Sequence, residues 1–182
     1  MEEDVIEVRP GHRLNNESLR AYLQGKIEGM ESGLAIHQFK HGESNPTYLL
    51  KTTRGELYVL RKKPNGSLLP GAHRVDREFR VISALYKQGF PVPRPLLYCN
   101  DPSVIGTEFY LMSYVKGRNF SDPTLSGLPA SERKSLLLAI FQTLARLHSI
   151  DWKAVGLEDY GGKGNYCSRQ VSIWSRRCPY GY

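Results

Sequence analysis

Three short runs, LAIHQF (34–39), TYLLKT (47–52) and ELYVLRKK (56–63), stand close together and limit what this chain can fold into. Each is rich in aliphatic and aromatic residues, as strands are. The glycine turn TRGE joins the last two into a hairpin. PNGSLLPG (64–71) is a loop of breakers. A helix is predicted over about 73–88, with Val75, Phe79, Ile82 and Tyr86 as its apolar stripe and Gly89 ending it. FPVPRP (90–95) is extended, because each proline keeps its predecessor out of the helical region. Two further strands follow, LLYC (96–99) and EFYLMSYV (108–115), separated by a turn with Asp101, Pro102 and Gly106. The pattern is α+β: a five-stranded antiparallel sheet with one helix inserted after its third strand.

The flanks are helical. A helix over about 16–27, capped by Asn15 or Asn16, puts Leu19, Tyr22, Leu23 and Ile27 on one face, and Gly25 and Gly29 loosen its end. After the linker KGRNFSDPTLSGLP comes the longest helix, ASERKSLLLAIFQTLARLHSI (130–150), with Leu137, Phe141, Leu144 and His148 on one face. The tail holds a glycine-rich loop and a short helix around 168–176. This divides the chain into a helical extension (1–32), a sheet-and-helix unit (33–115), and a connector with the start of a helical part (116–182).

Composition narrows the function classes. The longest apolar run, SLLLAIF, is far short of a membrane span, so no transmembrane segment is expected. The first residues, MEEDVIEV, are acidic where a targeting signal is basic. Cys99, Cys167 and Cys178 are odd in number and lack metal-ligand spacing, which favours a reducing, intracellular setting. The net charge of +7, from 25 basic against 18 acidic residues, sits in local clusters such as LRKK and SRR. It suits an anionic ligand or a solvated basic surface. No nucleic-acid motif accompanies it, so no nucleic-acid partner is expected.

Arg61 and Lys62 occupy opposite faces of the third strand. Glu78 falls inside the apolar stripe of the next helix, where a carboxylate is costly unless a cation meets it. Two readings are open: Glu78 pairs with a basic residue of the neighbouring strand, or it reaches water and pairs with Arg74 or Lys87. The loop HGESNPTYLL tilts the balance. Gly42 lets backbone N–H groups approach a phosphate, while Ser44 and Asn45 tolerate unusual dihedrals or bond phosphate oxygens. A loop between two strands, a basic residue on the third strand and a glutamate in the next helix form the arrangement of a kinase small lobe. EFYLMSYVKG then reads as the strand and connector, with Met112 and Tyr114, whose backbone meets an adenine.

HGESNPTY, YVLRKKPNGSLLPGAH, DREFRVISAL, FPVPRPLLYC, SVIGTEFYLMSYVKGR and LARLHSID together resemble the aminoglycoside phosphotransferase-like kinase domain. More closely, they resemble the N-terminal domain of acyl-CoA dehydrogenase family members ten and eleven, over about 34–174. The resemblance implies a protein kinase-like, nucleotide-binding small lobe (33–115) followed by an incomplete helical large lobe. In the register of YVLR it implies Arg61 on the phosphates and Glu78 as its partner, with Lys62 the neighbouring alternative. Gly42, Ser44, Asn45, Met112 and Tyr114 complete the implied nucleotide site. ATP and Mg²⁺ are implied as cofactors of the complete domain. The implied activity is phosphorylation of a hydroxyacyl-CoA in fatty-acid catabolism, in mitochondria or peroxisomes. An anionic acyl-CoA substrate would suit the positive charge.

Phosphoryl transfer also needs a base for the acceptor hydroxyl and groups that hold Mg²⁺. The family supplies them from an HGDxxxxN loop and a later aspartate, and these 182 residues contain no such loop. HSID (148–151) and DYG (159–161) imitate the two pieces. Gly156 stands where the metal-binding asparagine would follow Asp151, and Asp151 and Asp159 are too close for the intervening strands. His148 is therefore expected to pack on the apolar helix face, and Asp159 to lie in a surface loop. The expectation is nucleotide binding without transfer, with no catalytic or metal-ligating residue assigned. RRCPYGY departs from the family pattern after Trp174, as in a truncated form. The alternative is a non-catalytic binding or regulatory module that associates with the full-length protein, its Leu137, Phe141 and Leu144 exposed.

Overall fold

Alternation along six short strands organises the larger part of the chain. The computed structural model describes residues 4–31, 33–40, 44–66, 71–120, 122–161 and 164–177. Two units are distinct, Met1–Ser149 and Ile150–Tyr182. The first contains β1 (Val5–Ile6), α1 (Asn16–Leu23), β2 (Leu34–Phe39), β3 (Thr47–Thr52), β4 (Leu57–Lys62), α2 (Val75–Lys87), β5 (Pro95–Cys99), α3 (Pro102–Ile105), β6 (Phe109–Ser113) and α4 (Ala130–His148). The sheet is antiparallel, in the order β1-β2-β3-β4-β6-β5.

The sheet has six strands where the sequence pattern shows five. The added one, β1, pairs Val5 with Phe39 and Ile6 with Gln38. Two residues are too few for a period-2 pattern to register. The glycine-turn hairpin forms as the sequence predicts: Gly55 takes φ +96°, and the Thr52 amide donates to the Glu56 carbonyl at 3.0 Å. The turn between the last two strands contains α3. Asp101 caps it by accepting from the Ser103 amide at 2.8 Å, and Gly106 closes it at φ +88°.

Register decides what each face meets. Tyr48, Leu60, Leu111 and Leu97 are cross-strand neighbours. They point to the face where Leu19 and Leu23 of α1, Met30, and Val104 and Ile105 of α3 form the core. Leu19 and Leu23 are fully buried, each worth about 1.5–3 kcal/mol of transfer free energy. Asn15 caps α1 through Ser18, and the helix ends at Leu23, earlier than its apolar spacing implied, because the chain turns at 24–26.

The opposite face carries Leu49, Val59, Arg61, Tyr110 and Met112. There α2 packs over β5 and β6, with Phe79 stacked on Tyr98 (5.9 Å between ring centres) and tilted against Tyr110 (5.8 Å). Val75 and Leu85 are buried, whereas Tyr86, expected in the stripe, is exposed. Arg146 of α4 donates to the Gly89 carbonyl at 2.7 Å and lies over the Phe90 ring. No residue of α4 is buried. His148, expected to pack on its apolar face, is exposed with that face.

In the second unit, α5 spans Tyr166–Arg177. Ahead of it the Asp151 carboxylate accepts from the backbone amides of Lys153 (2.9 Å) and Ala154 (3.3 Å), which makes it a turn cap. Among the described residues no helix is long and apolar enough to cross a membrane. Cys99 is buried and Cys167 exposed, both as free thiols.

Candidate functional site

Because side chains alternate along a strand, Arg61 and Lys62 part company at β4. Arg61 is opposite Thr47 and Tyr110, on the face that α2 covers. Lys62 points to the core side beside Phe109, is 2% exposed, and donates from Nζ to Asn65 Oδ1 at 2.8 Å. Burial holds its pKa below the usual lysine range.

Arg61 Nε stands 2.8 Å from Glu78 Oε2. Its N–H is not aligned on the oxygen, so the contact is an ion pair rather than a directed hydrogen bond. Of the two readings of Glu78, pairing with the neighbouring strand is the one observed. Arg74 is engaged elsewhere, in a forked contact with Asp76 at 2.7 and 2.6 Å.

Three more groups fix the glutamate. Asn45 Nδ2 donates to Glu78 Oε1 at 2.8 Å, and the Tyr110 hydroxyl donates to Oε2 at 3.2 Å. His73 Nδ1 lies 2.9 Å from Asn45 Oδ1. Burial, and then the Glu78 charge, push the Tyr110 phenol well above its ordinary pKa. Asn45 is buried, and its side chain faces Glu78 and His73. Ser44 is exposed beside it, and Gly42 lies outside the described residues.

His73 and Tyr110 were not among the candidates read from the sequence. Tyr110 was recoverable, since it shares a strand face with Met112 in EFYLMSYV. His73 carried no signal, because its partner Asn45 is 28 positions away.

Beyond Arg61 the same face opens into a cavity of about 270 Å³, close to the lower end of the ~300–1,000 Å³ range of small-molecule pockets. Its floor is Phe39, Leu49, Val59 and Met112, and the connector of Ser113, Tyr114 and Val115 forms one wall. Met112 and Tyr114, named from the sequence, are thus brought together. Asn119 donates to Asp4 across its rim at 3.0 Å, so the segment before β1 lines the cavity too. An apolar floor with backbone groups along one edge fits a flat heteroaromatic ring, and Arg61, two positions along β4 from Val59 on the same face, carries a guanidinium that fits an anion. The fit to a metal is different. Among the described residues no group of three or more His, Cys, Asp or Glu side chains could hold one.

Comparison with known proteins agrees with this architecture. A solved structure from Ralstonia eutropha JMP134, assigned to the aminoglycoside phosphotransferases, superposes with a TM-score of 0.72 at 38% identity. That superposition covers 92% of this chain and 48% of the other. Acyl-CoA dehydrogenase family member 11 of Homo sapiens is 50% identical over 181 residues, 97% of this chain. Acyl-CoA dehydrogenase family member 10 of Mus musculus is 44% identical over 171 residues. The chain spans 23% of the length of the human relative and 16% of the mouse one. The family model described as "Phosphotransferase enzyme family" matches residues 35–179, and with most of its length so matched the chain belongs to that family.

Proposed function

We propose that the cavity and Arg61 form a nucleotide site, with the adenine of ATP on the floor of Phe39, Leu49, Val59 and Met112 and its phosphates at the Arg61 guanidinium. The observation that carries this reading is the Arg61–Glu78 pair at 2.8 Å, on the same sheet face as the cavity. Glu78 meets Arg61 at Nε, and none of the contacts described uses the two terminal nitrogens. That fork is the part of a guanidinium that binds a phosphate bidentately. In this reading Met112 and Tyr114 are assigned the edge along which backbone groups meet the base, and the exposed Ser44 is assigned to a phosphate oxygen.

Membership of the family supports phosphoryl transfer as the reaction of the longer proteins. The similarity to acyl-CoA dehydrogenase family members supports a hydroxyl on an acyl-CoA as the acceptor. In this reading the longer protein phosphorylates hydroxyacyl-CoA with ATP and Mg²⁺ during fatty-acid catabolism, in mitochondria or peroxisomes. The residues described here are assigned the nucleotide-binding step. Bound there, ATP would supply the phosphoryl group, while Arg61 would hold and orient its charge.

Calorimetric titration of the chain with ATP, ADP and adenosine tests the assignment. ATP and ADP should bind more tightly than adenosine, and Arg61→Ala should abolish the difference. Equal affinity for ATP and adenosine, or no binding of either, would remove the nucleotide reading.

A further inference from the structure

We infer that His73 is a positioning residue for the Arg61 guanidinium, acting through Asn45 and Glu78; this rests on the nucleotide reading of the Arg61 site. Hydrogen-bond chemistry sets the direction of the chain. The Glu78 carboxylate, paired with Arg61, presents acceptor oxygens, so the amide end of Asn45 at 2.8 Å must be its NH₂. The carbonyl end of Asn45 then faces His73 and can only accept. His73 Nδ1, 2.9 Å away, must carry the ring hydrogen. Donation thus runs from His73 Nδ1 to Asn45 Oδ1, and from Asn45 Nδ2 to Glu78 Oε1. The other carboxylate oxygen meets Arg61 Nε and the Tyr110 hydroxyl.

Two features mark this as an arrangement for placing a group. Asn45 is 5% exposed, so neither end of its amide can exchange its partner freely for water. His73 holds φ +54°, a left-handed conformation unfavourable for a residue with a Cβ, one residue ahead of the Arg74 cap of α2, the helix that carries Glu78. Its carbonyl accepts from the Val75 amide at 3.0 Å, which joins the backbone strain to the first turn of that helix. The chain therefore ties the loop before β3, the entry to α2 and the β4 arginine into one hydrogen-bonded unit. Asn45, expected from the sequence to tolerate unusual dihedrals or to bond phosphate oxygens, has its side chain on Glu78 and His73.

The test uses His73→Ala and His73→Asn. Asparagine tolerates positive φ, and its Nδ2 can replace the imidazole Nδ1 as donor. In His73→Ala, ATP affinity should fall roughly three- to tenfold, the equivalent of one hydrogen bond, with adenosine affinity unchanged. His73→Asn should recover most of the loss. Parallel losses for ATP and adenosine, unchanged ATP affinity in His73→Ala, or no recovery in His73→Asn would each overturn the inference.

Nitrogen-15 NMR of the unliganded chain decides the relay independently of nucleotide. The His73 hydrogen should be on Nδ1, and the Arg61 Nε–H signal should shift in His73→Ala. A hydrogen on Nε2 alone, with none on Nδ1, in the wild type overturns the relay even if ATP binds. Failure of the wild type to bind ATP, with the Nδ1 hydrogen present, overturns the nucleotide reading and the positioning of Arg61 for phosphate, but leaves the hydrogen-bonded chain standing.

Discussion

Arg61 and Lys62 adjoin in sequence and serve opposite faces of the sheet: Arg61 Nε lies 2.8 Å from Glu78, while Lys62 Nζ is buried on Asn65 Oδ1 at 2.8 Å. Strand alternation leaves the arginine partly exposed on the face that α2 covers and buries the lysine on the core side. Either side chain satisfies a sequence rule that asks only for a cation on this strand. The face on which it sits is what separates them.

The Arg61–Glu78 pair should be energetically lopsided. Its side chains are 31% and 34% exposed, so solvent screens the charge attraction. Arg61→Met should change unfolding free energy by less than about 1 kcal/mol. Glu78→Met should cost more, about 2 kcal/mol, because the buried Asn45 amide and the Tyr110 hydroxyl lose their acceptor. Urea unfolding of both variants measures the asymmetry, and equal losses would contradict it.

Lys62→Met should leave ATP affinity unchanged and stabilise the fold, since the buried ammonium is replaced by an apolar side chain of similar length. The pH dependence has a definite sign. The folded pKa of Lys62 lies below the ordinary 10.5, so between the two values the unfolded chain binds more protons. Wild-type stability therefore gains from this residue as pH rises through that window, and the penalty is fully present below it. Unfolding curves of wild type and variant from neutral to alkaline pH should converge toward the alkaline end.

Tyr48 works in the opposite direction. Its phenol is pushed from 10.0 to about 12 by burial, and its hydroxyl donates to the His12 carbonyl at 2.8 Å. Between these values the folded chain keeps a proton that the unfolded chain has released, so stability falls as pH rises through the window. Tyr48→Phe should flatten this decline. Difference absorbance of the ionising phenol should place the folded-state titration of Tyr48 near pH 12.

The apolar residues of α4 should make the chain self-associate. Phe141 is 64% exposed, and Leu137, Leu138, Ile140 and Leu144 are each more than two-fifths exposed. An apolar surface of this extent promotes association. Light scattering should detect concentration-dependent oligomers. Replacing Leu137, Phe141 and Leu144 by glutamine should raise the monomer fraction without lowering the melting temperature, because none of the three is buried in the fold.

Much of the fold was legible because its signals are local. The strands at 34–39 and 47–52 coincide with β2 and β3, since each is a short aliphatic run bounded by turn residues. The Arg61–Glu78 pair could be suspected because a carboxylate in an apolar stripe demands a cation. β1 escaped notice, being too short for a pattern and dependent on β2 for its hydrogen bonds. Tyr86 illustrates the opposite error: helical spacing put it in the stripe, but α2 covers the sheet with a different arc.

The site divides along the same line. By itself the sequence determined the strand periods, the breakers, the glutamate inside an apolar face and the family motifs, because each depends on neighbours within a few residues. Only the tertiary structure decided that Arg61, the partner implied by the register of YVLR, reaches Glu78, that Asn45 turns inward, and that His73 completes the chain of donors. Those outcomes depend on register between strands and on contacts 28 and 33 positions apart, and such distances leave no periodic trace in the sequence.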